Sequence, residues 1–183
     1  MADTFTGLHS GGAQTDPILV MGIAGTGKSE IACRLATTLG GAFIEADSYH
    51  SAENVERMRQ GIGLTDADRW PWLAAVAQAA RGAENHPVII ACSALRRSYR
   101  DFLRDRIGPL RILYLEGSPE LIAARLARRK GHFATGSLLE SQLRALEPPA
   151  EDERVVRLDI RLSPEAIVAA ALASLDGRAE SEG

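Results

Sequence analysis

Pro17-Ile-Leu-Val-Met21-Gly22-Ile-Ala-Gly25-Thr26-Gly27-Lys28-Ser29-Glu30 is the stretch that decides the fold. Its first five residues form a short apolar run, the pattern of a buried strand. Glycines interrupt that run over Gly22–Gly27. The chain then resumes with helical spacing over Lys28–Leu39, where Ile31, Leu35 and Leu39 share one face. Between strand and helix, Gly22–Ser29 fits G-x-x-x-x-G-K-[ST]. Glycines there let backbone N–H groups converge on phosphate oxygens, and the N-terminus of the following helix favours an anion. In that pattern Lys28 reaches the β- and γ-phosphates and Ser29 ligates Mg²⁺. The chain has nineteen Arg and only two Lys, so a Lys here suits a point-charge phosphate contact on a flexible stem. The expectation is a nucleoside triphosphate site made by Gly22, Gly25, Thr26, Gly27, Lys28, Ser29 and Glu30.

The same alternation continues downstream. Short apolar runs at Ala42–Glu45, Pro87–Cys92, Arg111–Leu115 and Val155–Ile160 read as strands. Ser51–Gln60, Asp66–Arg81, Ala94–Arg106, Ser118–Arg129, Ser137–Leu146 and Pro164–Leu175 read as helices. Ser118-Pro119 supplies an N-cap followed by Pro at the first helical position. Strands alternating with helices argue for an α/β fold, a parallel sheet covered on both faces. Residues 1–16 read as a flexible leader, 17–176 as one domain and 177–183 as a flexible tail.

Composition removes several classes. The 183 residues are 45% hydrophobic and 25% charged, near the average of soluble domains. A net charge of −3 argues against a polybasic nucleic-acid or membrane-surface protein. No apolar run approaches the roughly 20 residues that span a bilayer. Two cysteines make no disulfide framework, which points to a reducing, cytoplasmic setting. There is no N-K-x-D element of a GTPase, and no acidic end on the strand over 88–92 of the kind large mechanical ATPases carry.

In open α/β sheets ligands sit beyond the carboxyl ends of the strands. Asp47, after the second strand, could accept or orient a hydroxyl proton, or could serve as a turn residue. Asp66 and Asp68 could cap the next helix, and Trp70 and Trp72 could pack or line a cleft. Arg96 and Arg97 begin a basic helix near the end of the third strand, where a carboxylate or phosphate contact is plausible. Arg104 and Arg106 read better as a solvated face. Arg125 to Phe133 ends a helix in a glycine-flanked loop, about 130–136, that reads either as helix-terminal charge or as a lid over the phosphates.

Taken together, the quoted residues resemble the gluconate kinase family of small P-loop kinases, over nearly all of Ile18–Leu175. The phosphate loop is joined by Glu45-Ala-Asp47-x-x-His50, Leu64-Thr-Asp66-Ala-Asp68-Arg69-x-Pro71-Trp72-Leu73, Cys92-Ser-Ala-Leu-Arg-Arg-x-Tyr99-Arg100, Leu115-Glu-Gly, Arg129-Lys-Gly-His-Phe133, Ser141-Gln142 and Leu146-Glu-Pro. The resemblance implies a five-stranded parallel sheet with a helical substrate-binding segment and a lid, as in shikimate and nucleoside-monophosphate kinases. It implies transfer of a phosphoryl group from ATP, with Mg²⁺, to the 6-hydroxyl of D-gluconate. By it Asp47 would hold or deprotonate that hydroxyl, and His50, Arg96, Arg100 and His132 would bind the polyol and carboxylate. Arg125 would stack on adenine and Arg129 would touch the phosphates. It also implies a homodimer in the cytosol. Ala46 and Arg96 stand where the family usually has Gly and Lys. Two alternatives stay open at this point: a kinase for shikimate or another small hydroxy acid, and a nucleotide-binding protein without catalysis.

Overall fold

A computed structural model describes residues 16–128 and 136–176. Five strands run in the order β2-β3-β1-β4-β5, where β1 is Ile18–Met21, β2 Ala42–Glu45, β3 Val88–Ala91, β4 Arg111–Glu116 and β5 Val155–Asp159. Every neighbouring pair is parallel: Leu19 lies opposite Ile90 and Ile112, and Ile44 opposite Ile90. All four residues of β1 and of β3 are buried, as strands covered on both faces require.

Side chains alternate across the sheet, and two cores follow. Ile18, Val20, Ile89, Ala91, Leu113 and Leu115 face one way. They pack on α1 (Lys28–Leu39), α5 (Pro119–Arg128), α6 (Gly136–Ala145) and α7 (Pro164–Asp176). Leu19, Met21, Ile90, Cys92, Ile112 and Tyr114 face the other way, against α3 (Asp66–Arg81) and α4 (Arg97–Ile107). A leucine as enclosed as Leu19 contributes about 1.5–3 kcal/mol by leaving water.

The helices begin where the sequence reading puts them, with small shifts. Ser118 accepts the Leu121 N–H through Oγ at 3.3 Å, so α5 starts at Pro119. Thr65 caps α3, and Asp68 returns a bond to the Thr65 N–H at 2.7 Å, completing a capping box. Ser51 caps the short α2 (Ala52–Arg59). The helix expected from Ala94 starts only at Arg97, because Ala94 has φ +39°, a left-handed conformation that a helix cannot contain. Asp16, read as the end of the leader, is held by Arg154 at 2.7 Å.

Candidate active site

The site lies at the carboxyl end of the sheet, where β1, β2 and β3 release their loops. The loop after β1 needs its glycines for two reasons. A Cβ on Gly25 (φ +86°) would sit 2.9 Å from the Leu126 side chain of α5, so close approach excludes one. Gly27 has φ +96° and open space on its Cβ side, so conformation alone requires it, as the residue that opens α1. Thr26 is buried and donates its Oγ1 proton to the Ile23 carbonyl at 2.9 Å. Lys28 donates Nζ to the same carbonyl at 3.2 Å. Ser29, in the first turn of α1, is exposed. Glu30 is exposed too and pairs with Arg34 at 2.8 Å, away from the loop backbone.

After β2 the chain makes a single 3-10 turn, Ala46–Tyr49, that leaves the Asp47 side chain exposed. Ala46 is fully buried, is not in the left-handed region, and accepts a 2.7 Å bond from Trp72 Nε1. Alanine therefore serves where the family usually has glycine. His50 stacks on the Trp72 ring, with centroids 4.2 Å apart. Its Nδ1 is buried and has no hydrogen-bond partner among the described residues. Burial holds the His50 pKa below the ordinary range; Asp47 opposes that shift and Arg69 reinforces it. Asp47, His50 and Arg69 thus share one electrostatic neighbourhood.

Cys92 directly follows β3, the strand that lies between β1 and β2, and is buried. Its thiol is pushed up to about 12, first by burial, and it feels the charges of Asp47, Lys28 and Glu45. Such a thiol is no nucleophile at neutral pH.

Beyond β3, Asp66 gathers a cluster. It accepts Tyr99 Oη at 2.6 Å and Arg96 at 2.8 Å, with Arg69 at 3.5 Å. Arg69 also donates to Tyr99 Oη at 3.1 Å, and the Arg69 and Arg96 guanidinium groups lie 5.7 and 5.9 Å from the Tyr99 ring centre. The Tyr99 bond, then the two arginines, hold the Asp66 carboxyl below its usual range despite some burial. The alternatives left open for the aspartates resolve here: Asp68 completes the capping box that Thr65 opens on α3, and Asp66 organises arginines. Trp72 is buried, whereas Trp70 packs on Tyr99 and Phe102. Arg69, quoted in the resemblance but assigned no role, is the residue that sequence reasoning missed; its position one turn after the capping Thr65 carries no signal of the cluster it joins.

Arg100 departs from the expectation of a substrate contact. It is 1% exposed and grips Glu153 with two bonds, 2.6 and 2.9 Å. Its third nitrogen donates to the carbonyls of Ala94 and Leu95 at 3.1 and 3.3 Å. Every arm of the guanidinium is spent on the protein, so Arg100 shapes the loop that carries Arg96 and offers nothing to a ligand. Arg125 donates to the Ile160 carbonyl beside the end of β5. Arg129, Lys130 and His132, with the loop expected to be a lid, lie outside the described residues.

The AAA domain family matches residues 18–149. A gluconokinase of Gluconobacter oxydans (strain 621H) is 44% identical over 153 residues, covering 82% of this chain and 86% of its own. The chain belongs to the gluconokinase family. A crystal structure of a gluconokinase from Sinorhizobium meliloti 1021 superposes with a TM-score of 0.83 at 44% identity, covering 91% of this chain and 94% of its own. Shikimate kinase from Aquifex aeolicus vf5 shares the fold alone, with a TM-score of 0.57 at 20% identity over 89% of this chain and 98% of its own. Membership in the gluconokinase family makes the chain a P-loop kinase, an ATP-using enzyme; its glycine loop and Asp47 turn follow β1 and β2, with β3 lying between those strands. No helix among the described residues is long and apolar enough to cross a membrane.

Proposed function

We propose that this protein transfers the γ-phosphoryl group of ATP to the 6-hydroxyl of D-gluconate, giving 6-phospho-D-gluconate and ADP. The observation that supports the reading is that the Lys28 loop after β1 and the Asp47 turn after β2 open at the same end of one parallel sheet, with Asp66 holding Arg96 and Arg69 beyond β3. The hydroxyl oxygen attacks the γ-phosphorus, the bond from that phosphorus to the β–γ bridging oxygen breaks, and the hydroxyl proton passes to Asp47. Catalysis of this step rests on positioning and charge stabilisation. The loop N–H groups and Lys28 supply the charge, and Arg129 adds to it from the expected lid.

Mg²⁺ fits the donors present. The exposed Ser29 hydroxyl is a hard oxygen ligand beside the phosphate loop, and Mg²⁺ takes one or two protein ligands plus substrate phosphates. When bound it neutralises charge on the β- and γ-oxygens. Glycine loop and α1 N-terminus hold the nucleotide phosphates, and Arg125 stacks on the adenine.

Arg96 and Arg69 take the gluconate carboxylate, each turning one N–H from Asp66 to the substrate. Planar guanidinium groups suit a carboxylate, which is why Arg serves at position 96 in place of Lys. His50 Nδ1 meets a sugar hydroxyl, which gives that enclosed atom its partner. The homodimer and the cytosolic location belong to the same proposal, the former checked by light scattering.

ADP release, coupled to an optical readout with Mg²⁺, tests the reading on D-gluconate, shikimate, glucose, 2-keto-gluconate and nucleoside monophosphates. Turnover with gluconate far above the others is expected. Equal or better turnover with another acceptor would refute the substrate while leaving the kinase.

A further inference from the structure

A hydrogen bond reaches the phosphate loop from a distant helix. Gln142, half-buried on α6, accepts the Ala24 N–H through Oε1 at 2.7 Å, 118 residues away in sequence. The peptide it touches is the one that matters. The carbonyl of the Ile23–Ala24 peptide receives Lys28 Nζ at 3.2 Å, Thr26 Oγ1 at 2.9 Å and the Thr26 N–H at 3.4 Å. In a planar trans peptide the N–H and C=O point in opposite directions. Whatever fixes the Ala24 N–H therefore fixes the direction of the Ile23 carbonyl, and with it the acceptor that holds the phosphate lysine.

We infer that Gln142 is a positioning residue of the nucleotide cradle, acting on Lys28 through the Ile23–Ala24 peptide. A glycine-rich loop has little stiffness of its own. The Ile23–Ala24 peptide turns about ψ of Ile23 and φ of Ala24, and the glycines next along the chain on either side, Gly22 and Gly25 with φ +150° and +86°, add little restraint against that turn. The carboxamide sits on a helix anchored by the buried Leu139 and by Leu143 in the core beside Ile31 and Leu35, so it is a fixed acceptor. A partly buried N–H left without one is costly. Nothing in the G-x-x-x-x-G-K-[ST] motif requires this partner; it belongs to the way this chain completes the motif.

The inference rests on the reading of the loop as a nucleotide site but not on the identity of the acceptor. The test is accordingly ADP affinity by calorimetry, measured without gluconate, together with hydrogen exchange at the Ala24 amide. Gln142→Met keeps the length and removes the acceptor. It is expected to expose the Ala24 amide to exchange and weaken ADP binding about tenfold, the usual scale for an orphaned partly buried donor. The KM for gluconate should stay within about twofold. Gln142→Glu keeps an acceptor and should keep the amide protected. Gln142→Asn withdraws the carboxamide by one methylene and reads the same two quantities should the Met variant not fold. Leu143→Ala, a packing deletion on the same helix, is the structural control. ADP binding by Gln142→Met within twofold of the parent would overturn the inference. So would a loss that Leu143→Ala reproduces at equal loss of thermal stability. Failure of the parent to bind ADP would instead overturn the nucleotide reading.

Discussion

Arg100→Met should cost about 3 kcal/mol of stability, and the structure sets that figure. Arg100 and Glu153 are both almost fully enclosed, and their two-bond grip is supplemented by the Ala94 and Leu95 carbonyls. Removing one partner of a buried ion pair costs about 3–5 kcal/mol, because the other charge is left without compensation. Here the lower end applies. Glu153 keeps the Ala150 N–H at 3.0 Å, and Arg104 Nη2 already lies 3.8 Å from its carboxylate. In a domain of this size the loss corresponds to a fall of roughly 6–12 °C in melting temperature. Thermal melts by circular dichroism at neutral pH give the number. The pair also has a pH signature. Burial pushes the Glu153 pKa up, but Arg100 and the Ala150 N–H outweigh it and hold it below the ordinary value. A depressed carboxylate stabilises the fold above its unfolded pKa and loses that contribution as pH falls through the folded one. The gap between parent and variant should therefore narrow on acidification towards about pH 4. Arg100→Met/Glu153→Leu should recover most of the loss. A single variant within about 1 kcal/mol of the parent, or a double variant no better than the single, would refute the reasoning.

Three further outcomes are expected. Asp47→Asn should lower kcat on the order of 10²–10⁴-fold with ADP affinity unchanged, read by the coupled assay and calorimetry; full activity would remove Asp47 from proton transfer. The KM for gluconate should be flat from about pH 8 to 6.5 and rise on further acidification, because burial keeps His50 neutral until its depressed pKa is reached. The same depression makes the His50 contribution to stability full above about 6.5 and lost below, and His50→Gln should flatten both profiles. Gly25→Ala places a Cβ against Leu126 at φ +86°, a strain of about 1–3 kcal/mol that should raise the KM for ATP; an unchanged KM would show that the loop yields without consequence.

What was legible in the chain was what local pattern encodes. The strand–loop–helix over 17–39, the Ser118-Pro119 start of α5 and the Asp66 start of α3 each depend on neighbours within four residues, and each is where the sequence places it. Two kinds of feature were not legible. Arg100 entered as a ligand contact through the resemblance alone, and its partner, Glu153, is 53 residues away. Nothing in spacing pairs them. Arg69 and Gln142 were quoted in the resemblance but without a role: each acquires one only when the fold brings Tyr99 or Ala24 to it. The site that sequence predicts is the part built by contiguous residues; the part built by distant ones needs the fold.

The strand order has a consequence for what this enzyme could be changed into. Because β3 lies between β1 and β2, the loop that holds phosphate and the turn that presents Asp47 are separated by two strand spacings, about 10 Å. Backbone hydrogen bonds set that distance, and no side-chain substitution alters it. In the proposed reaction the sheet is in effect a fixed ruler between donor and acceptor. The far wall, made by the start of α3 and of α4, is built from side chains on helix ends: Asp66 holds Arg96 and shares Arg69 with Tyr99. A kinase for a shorter or longer hydroxy acid would therefore be sought by moving Arg69, Arg96 and Asp66, with the cradle and Asp47 left where they are.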